Sequence, residues 1–339
     1  MLNTSETNPA KAPDDKNEKA SSPLRELLSW IEVIAIAVIL ALLLNNFVIV
    51  TDSCADLNGQ LRKKYNIEYL CMRVIEGIVD RPADLDWQFM PAKTFYDKMR
   101  KGVRFTTSQI TASDYAEAFE KYISEGCDVL SISCSSALSG SYRASTEARD
   151  KVLSAHSDAK IICIDSLNAC IGLGLICITA SRLRAEGKTI EQTAQYIEDN
   201  KLKMNQYSFA DDLTYLRRAG RVSPTSAVFG GLLKIKPIII SDAAGQNVAA
   251  EKVKGRGPAT NRLLQLVKEH YKSSPYQLVA IAHADCPAEA EAFKQRLKDV
   301  IPDKDVEILL DYIGPIVGAT VGPGTLAVYF YGDEVTFKA

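Results

Sequence analysis

Hydroxyl and carboxyl side chains follow each of three short apolar runs in the N-terminal half of the chain. The runs are FVIV, VLSIS and IICI, at residues 47–50, 129–133 and 161–164. The polar residues that follow them are Asp52 and Ser53, the serine-rich stretch 133–141, and Asp165 and Ser166. Continuous apolar runs of this kind predict strands buried on both faces of a parallel sheet. Because ligands of open α/β sheets bind at the carboxyl ends of the strands, we expect these polar residues to line one crevice.

The serine-rich stretch SCSSALSGS leads into a predicted helix and offers several hydrogen-bond donors. Its candidates are Ser135, Ser136 and Ser139, with Gly140 after them. Backbone N–H groups at the start of a helix favour an anion, and serine hydroxyls add further donors. The simpler interpretation is that Ser139 or Ser141 only caps the helix. The spacing alone leaves both interpretations open.

A second hydroxyl cluster, TTSQ at residues 106–109, contains Thr107 and Ser108. It precedes Thr111-x-x-Asp114, which is typical of a capping box at the start of a helix. By itself the cluster predicts a loop, and contact with a ligand is the alternative.

Composition excludes some classes of function. The chain has 339 residues with 40 Lys+Arg against 42 Asp+Glu, and this balance gives no basic field for nucleic acid. It has only 3 histidines, so a multi-histidine metal site is not expected. Its 8 cysteines contain no C-x-x-C pair, and several lie inside apolar runs. This usage indicates buried free thiols in a reducing compartment.

The elements that would position these residues alternate between helices and strands, as in α/β proteins. In the N-terminal part we predict helices at residues 111–126, 141–155, 169–185 and 189–201. In the C-terminal part we predict a hairpin at 241–253, helices at 258–271 and 287–298, and strands at 278–283, 306–310 and 326–332. The chain is therefore predicted to have a parallel-sheet domain over residues 47–205 and a mixed-sheet domain over residues 206–339.

Two further features outside these loops are ambiguous. His283 ends a predicted strand, where a lone histidine is more often structural than catalytic. Arg217, Arg218 and Arg221 form a basic cluster. The simplest interpretation is a solvated helix face, and the alternative is a docking patch for an acidic partner.

The first 46 residues differ from the rest. Residues 1–23 are polar and predict a disordered tail, whereas residues 24–46 are long and apolar enough to predict a transmembrane anchor. The sequence thus predicts a single-pass protein of the cell membrane. The positive charges before the helix would place the tail in the cytoplasm and export the body. Export conflicts with the cysteine usage of the body, so we expect the body to be cytoplasmic in its native context.

The segment ELLSWIEVIAIAVILALLLNNFVIV resembles the amino-terminal anchor of type I signal peptidases. The nucleophile motif of that family does not follow it, and TDSCADL stands there instead. The resemblance therefore covers about residues 24–50 and implies no peptidase chemistry. Because FVIV belongs both to this anchor and to the first predicted strand, we expect a chimeric reading frame, natural or an assembly artefact.

From residue 47 onward the chain resembles the DegV family of fatty-acid-binding proteins. The matching segments, in chain order, are FVIVTDSCADL (47–57), TTSQ (106–109), SSALSGSYRAS (135–145), IDS (164–166), LRRAGRVS (216–223), LLKIKPII (232–239) and IGPIVGATVGPGTLAV (313–328). The resemblance implies a two-domain α/β fold with a lipid tunnel between the domains. It implies no catalytic residue, metal or cofactor.

The same resemblance implies that a long-chain fatty acid is held by its carboxylate at Thr107, Ser139 and the Gly140 N–H. Thr320 stands where the family often has a histidine as a third contact; threonine can donate a hydrogen bond but cannot become a cation. Polar residues of the strand-end loops are expected to support the site: Asp52, Ser53, Ser108, Ser135, Ser136, Asp165 and Ser166.

The resemblance also implies a partner, a fatty acid kinase that phosphorylates the bound lipid for phospholipid synthesis. The arginine cluster at residues 217–221 is then the expected docking site for the kinase or the membrane. Two alternatives belong to other classes: a membrane-anchored remnant of a signal peptidase, and a hydrolase with a serine nucleophile in residues 133–141. The second lacks G-x-S-x-G and an evident histidine partner.

Overall fold

A four-stranded parallel sheet lies at the centre of the N-terminal half. The structure is a computed structural model that describes residues 27–34, 47–223 and 235–338. The strands of this half are β1 (Phe47–Asp52), β2 (Ile67–Leu70), β3 (Arg73–Glu76), β4 (Val79–Pro82), β5 (Phe105–Ser108), β6 (Asp128–Ser133) and β7 (Ile161–Asp165). The parallel sheet has the order β2-β1-β6-β7. The three apolar runs form β1, β6 and β7, as predicted.

A small antiparallel sheet of order β4-β3-β5 stands beside it and was not predicted. Its strands are short, and the charged residues of β3 and β4 and the hydroxyl residues of β5 interrupt the apolar pattern of a buried strand. Thr107 lies on β5, opposite Val74 of β3. The prediction of a loop at TTSQ is therefore wrong over residues 106–108, because pairing with β3 extends this segment.

Four of the six helices described in this half follow the predicted bounds, and the first two were not predicted. They are α1 (Gly59–Tyr65), α2 (Ala92–Arg100), α3 (Ala112–Ser124), α4 (Ser141–Ala155), α5 (Cys170–Ala185) and α6 (Ile190–Asn200). The capping box of α3 is present: the Thr111 hydroxyl accepts from the Asp114 N–H, and the Asp114 carboxylate accepts from the Thr111 N–H. Helix α5 is buried on almost every face because it packs between β1 and the second sheet.

The second sheet is mixed and seven-stranded, with the order β13-β12-β14-β8-β10-β11-β9. Its strands are β8 (Met204–Phe209), β9 (Val222–Ser223), β10 (Ile235–Ser241), β11 (Asn247–Lys254), β12 (Val279–His283), β13 (Ile308–Tyr312) and β14 (Leu326–Tyr331). Its helices are α7 (Leu213–Ala219), α8 (Arg256–His270), α9 (Pro287–Val300) and α10 (Pro315–Val321). The predicted hairpin is present as β10 and β11, whereas the strand predicted at 306–310 lies two residues later.

Both sheets contribute to one core. Val50 of β1 and Tyr329 of β14 belong to the same hydrophobic cluster. The predicted domain boundary after residue 205 falls inside β8, and it stays a prediction.

Most of the predicted tail and anchor lies outside the described residues. Of the anchor predicted at residues 24–46, only residues 27–34 are described, and they are helical and exposed. Within the described ranges, no helix is long and apolar enough to span a bilayer.

Two buried carboxylates follow β1 and differ in their partners. Asp52 accepts hydrogen bonds from the Cys54 N–H (2.9 Å) and from the Cys134 N–H (2.8 Å), so it joins the loops that follow β1 and β6. Burial raises the pKa of Asp52 to about 6, and these two N–H groups limit the rise.

Asp56 lacks such support. It has a positive φ of 47°, and neither of its buried carboxylate oxygens accepts a hydrogen bond of normal geometry. Burial raises the pKa of Asp56 to about 7; the nearby Cys170 thiol and Gly314 N–H oppose the rise, and the charge of Asp311 adds to it. The ionised form of Asp56 is therefore costly in the folded protein.

This cost predicts a pH-dependent stability. Because the pKa of Asp56 is higher in the folded than in the unfolded chain, the folded protein binds the extra proton between about pH 4 and 7. The contribution of Asp56 to the free energy of unfolding should fall by about 2–4 kcal/mol as the pH rises through this window. Asp56→Asn should remove this fall, which urea unfolding at pH 5 and pH 8 measures.

The matched control is Asp80→Asn, which removes an exposed carboxylate of β4 and should preserve the wild-type pH dependence. A fall of the same size in Asp56→Asn and wild type would contradict the assignment to Asp56.

Candidate functional site

A cavity of about 330 Å³ lies where β5, the loop after β6 and helix α10 meet. We call it the Ser139 cavity. Thr107, Ser139, Gly140 and Thr320 all line it, although they come from three distant segments of the chain. Ser108 and Ser136 line it as well. The remaining lining residues are Cys54, Met72, Gln109, Cys134, Ala137, Leu138, Ala169, Arg221, Asn247, Ile316, Val317 and Val321.

The loop over residues 134–140 is fixed by neighbouring strand ends. The Ser135 hydroxyl donates to the Gly245 carbonyl (2.8 Å), and the Ser135 N–H donates to the Asn168 carbonyl (2.9 Å). The Asp165 carboxylate accepts from the Ser136 N–H at 3.1 Å. These hydrogen bonds tie the loop to the hairpin turn at Gly245 and to the loop after β7.

Five of the predicted supporting residues do not line the Ser139 cavity: Asp52, Ser53, Ser135, Asp165 and Ser166. Their side chains bind backbone groups instead. For example, the Ser53 hydroxyl accepts from the Met72 N–H (2.8 Å), and the Ser166 hydroxyl accepts from the Asn168 N–H (3.1 Å). These residues hold the backbone around the cavity through their hydrogen bonds. The expectation that all strand-end polar side chains line one crevice is wrong for these five residues.

Ser139 and Gly140 stand at the start of α4. The N-cap is Gly140, so the assignment of that position to Ser139 or Ser141 is wrong. The Ser139 hydroxyl nevertheless accepts from the Ser141 N–H, the first of the helix, at 3.3 Å. The Ser139 hydroxyl lies 3.0 Å from the Ser141 hydroxyl and is half-buried. A Cβ at Gly140 would overlap the amide of Gln109, so glycine lets that side chain lie against the loop.

Thr107 and Thr320 reach the cavity from the other two sides. Both are half-buried. The Thr320 hydroxyl donates to the Ile316 carbonyl one turn earlier in α10, at 3.4 Å. A bond this long is easily exchanged for a better acceptor.

Apolar and sulfur-containing side chains form the rest of the wall. Leu138, Ile316 and Val317 are examples. A hydrogen bond with Cys134, together with burial, raises the pKa of the Cys54 thiol well above its usual value, and the pKa of Cys134 is also raised. Both therefore stay protonated near neutral pH and are poor nucleophiles.

The three arginines of the basic cluster at residues 217–221 differ in their positions relative to the Ser139 cavity. Arg221 is exposed, lines the Ser139 cavity, and donates to the Ala219 carbonyl at 2.6 Å. Arg218 lines a smaller adjoining cavity of about 140 Å³, which Thr107, Thr320 and Arg221 also line. Arg217 is exposed and lines neither cavity.

No histidine lines the Ser139 cavity in the part of the chain that the structure describes. His283 is buried and accepts from the Cys286 N–H at 3.3 Å, and burial lowers its pKa. The cavity therefore offers no imidazole base to a serine. Across residues 27–34, 47–223 and 235–338, no group of three or more His, Cys, Asp or Glu side chains could hold a metal ion.

Several residues that line the Ser139 cavity were not predicted. Gln109 belongs to the same TTSQ segment as Thr107, so the prediction of Thr107 as a ligand contact could have been extended to Gln109. Asn247 begins β11, and only the folding of the hairpin toward the loop after β6 brings it to the site. Met72 has no sequence signal of its own.

Comparison with known proteins fits this geometry. The model of the DegV family, described as uncharacterised protein, matches residues 46–333. A DegV domain-containing protein of Clostridium perfringens is 38% identical over 290 residues, which covers 86% of this chain and 99% of the relative. The family match begins at residue 46, and no finding supports the predicted anchor or the chimeric junction, which stay predictions.

Solved structures give the same result. A DegV lipid binding protein from Thermotoga maritima is 25% identical with a TM-score of 0.74, and it covers 86% of this chain and all of the other. DegV of Bacillus subtilis, described as a fatty acid binding protein, is 26% identical with a TM-score of 0.73 and covers 85% of this chain. The parallel sheet and the mixed sheet are those of this fold, and the chain belongs to the DegV family.

Proposed function

We propose that this protein binds a long-chain fatty acid, with the carboxylate in the Ser139 cavity. The observation that carries the proposal is the convergence of Thr107, Ser139, Gly140 and Thr320 on one cavity with an apolar wall. The relatives from Bacillus subtilis and Thermotoga maritima, described as fatty acid and lipid binding proteins, support the same ligand class.

The donors suit a carboxylate that leaves water. Hydroxyl and N–H groups can hold an anion without burying a cation, whose desolvation would be costly. The exposed guanidinium of Arg221 lines the cavity and can attract the anion through solvent.

The acyl chain needs only apolar surface. Met72, Leu138, Ile316 and Val317 offer such surface next to the donors. Each CH₂ that is buried contributes about 0.8 kcal/mol, so chain length rather than the head group would supply most of the affinity.

We further propose that the protein is a carrier rather than an enzyme and presents the carboxylate to a fatty acid kinase for phospholipid synthesis. The exposed guanidinium groups of Arg217, Arg218 and Arg221 lie at or beside the head-group end and suit an acidic surface of that kinase. A location at the cell membrane is part of this proposal, and it depends on the sequence of residues 24–46 alone.

Ser139→Ala tests the proposed head-group contact. Loss of one hydrogen bond to a charged group should weaken palmitate binding by about 1.5–2 kcal/mol, which is about 10- to 30-fold. Isothermal titration on delipidated protein measures the change. Ser154→Ala, at the exposed end of the same helix, is the matched control and should bind as wild type does. Equal affinities for Ser139→Ala and wild type would contradict the assigned contact.

Thr320→His tests the effect of the departure from the family pattern. A histidine beside Thr107 can become a cation and should tighten palmitate binding about three- to tenfold near pH 6. Because the imidazole loses its proton as the pH rises, the gain should disappear by about pH 8. The measurement is the same titration at both pH values. A gain that is equal at both would assign the effect to packing.

Charge reversal tests the docking surface. Arg217→Glu lies outside the cavity, so it should leave palmitate binding unchanged and lower the rate of acyl phosphate formation by a fatty acid kinase about tenfold or more. Lys298→Glu on α9 is the control for an exposed charge reversal. Unchanged kinase turnover with Arg217→Glu would exclude this surface.

A further inference from the structure

A second groove lies between the loop after β1 and the end of β13. It consists of two adjoining cavities of about 540 and 270 Å³, which share Asp56, Asn58, Gln60, Asp311 and Tyr312. We call it the Asp56 groove. None of its lining residues lines the Ser139 cavity, so its ligand would be separate from the proposed fatty acid.

The larger cavity of this groove is acidic. Asp56, Asp86 and Asp311 line it, and its lining contains no lysine or arginine. Only Asp86 has a cationic partner within the described ranges, since Arg62 binds it at 2.6 Å. Asp311 accepts from the Asn58 amide (2.5 Å) and from the Tyr312 N–H (2.7 Å), which are neutral donors. Asp56 and Asp311 thus have no cationic partner; the one lysine of the groove, Lys64, lines the smaller cavity and pairs with Glu307 at 3.7 Å.

The buried carboxylate of Asp56 points to a ligand in this groove. Its residue is only 5% exposed, it lines both cavities, and its carboxylate oxygens have no hydrogen-bond partner of normal geometry. A buried carboxylate in this condition is destabilising unless a cation or donor satisfies it. The unpartnered carboxylate of Asp56 lines a cavity in which a ligand could satisfy it.

Aromatic rings stand beside these carboxylates. Trp87 and Tyr312 both line the larger cavity, with ring centroids 6.5 Å apart and an interplanar angle of 72°. Trp87 also has a positive φ of 57°, a strained conformation for a bulky residue. Such strain is concentrated at ligand sites. Aromatic faces together with carboxylates are the recognised environment of organic ammonium groups.

We propose that the Asp56 groove binds a small organic ammonium ion. Asp56 and Asp311 supply the charge, and Trp87 and Tyr312 supply the aromatic faces. A metal ion fits less well, because no group of three or more acidic, His or Cys side chains in the described part of the chain could coordinate one.

The test uses the fluorescence of Trp87. The chain has 2 tryptophans, so Trp30→Phe in the full-length protein leaves Trp87 as the single reporter. Tetramethylammonium chloride is the probe, and sodium chloride and tert-butanol at equal concentration control for ionic strength and for a neutral molecule of similar shape. We expect a saturable change of emission with tetramethylammonium alone. Asp311→Asn, and separately Asp56→Asn, should weaken the binding about tenfold or more.

Two controls separate this groove from the proposed fatty acid site. Ser139→Ala should leave tetramethylammonium binding unchanged, and so should Asp80→Asn on the exposed β4. If an aspartate variant does not fold, saturation-transfer NMR with the wild-type protein tests whether tetramethylammonium binds. The methyl protons of the probe are observed, and tert-butanol is the reference. A response that does not saturate, that sodium reproduces, or that survives Asp311→Asn would overturn the proposal.

Discussion

The buried carboxylate of Asp52 fixes the geometry on which the candidate site depends. It accepts one hydrogen bond from an N–H of the loop after β1 and one from an N–H of the loop after β6, and so links the ends of two central strands. The loop of residues 134–140 starts from this junction and carries Ser139 to the cavity. Burial raises the pKa of Asp52, so its ionised form is costly. Its carboxylate nevertheless binds two backbone N–H groups that an apolar side chain could not bind.

The fold presents two cavities of opposite character around this junction. The Ser139 cavity has neutral donors and an apolar wall, with one guanidinium at its exposed side. The Asp56 groove has carboxylates and aromatic rings. Asp56 and Asp311 both line the Asp56 groove and not the Ser139 cavity, so their carboxylates lie outside the cavity proposed for the fatty acid anion, which they would repel. The arrangement is consistent with an anionic lipid in one cavity and a cation in the other.

Much of this architecture could be predicted from the sequence because its signals are local. The β-branched runs predicted β1, β6 and β7, and the bounds predicted for α4 agree with the structure. The small sheet of β3, β4 and β5 could not be predicted, because its strands are short and mostly polar and only Val74 and Phe105 of them are buried in the core. For the site, residue type and the family resemblance indicated Thr107, Ser139 and Thr320. Neither could show that the side chain of Ser135 binds backbone, since only the fold decides where a polar side chain points.

Native mass spectrometry of residues 47–339, purified from bacteria without delipidation, tests the central claim most directly. We predict a mass excess equal to one fatty acid, which disappears after organic extraction and returns when palmitate is added. A folded protein that shows only its own mass, and that gains none with palmitate, would contradict the proposed function.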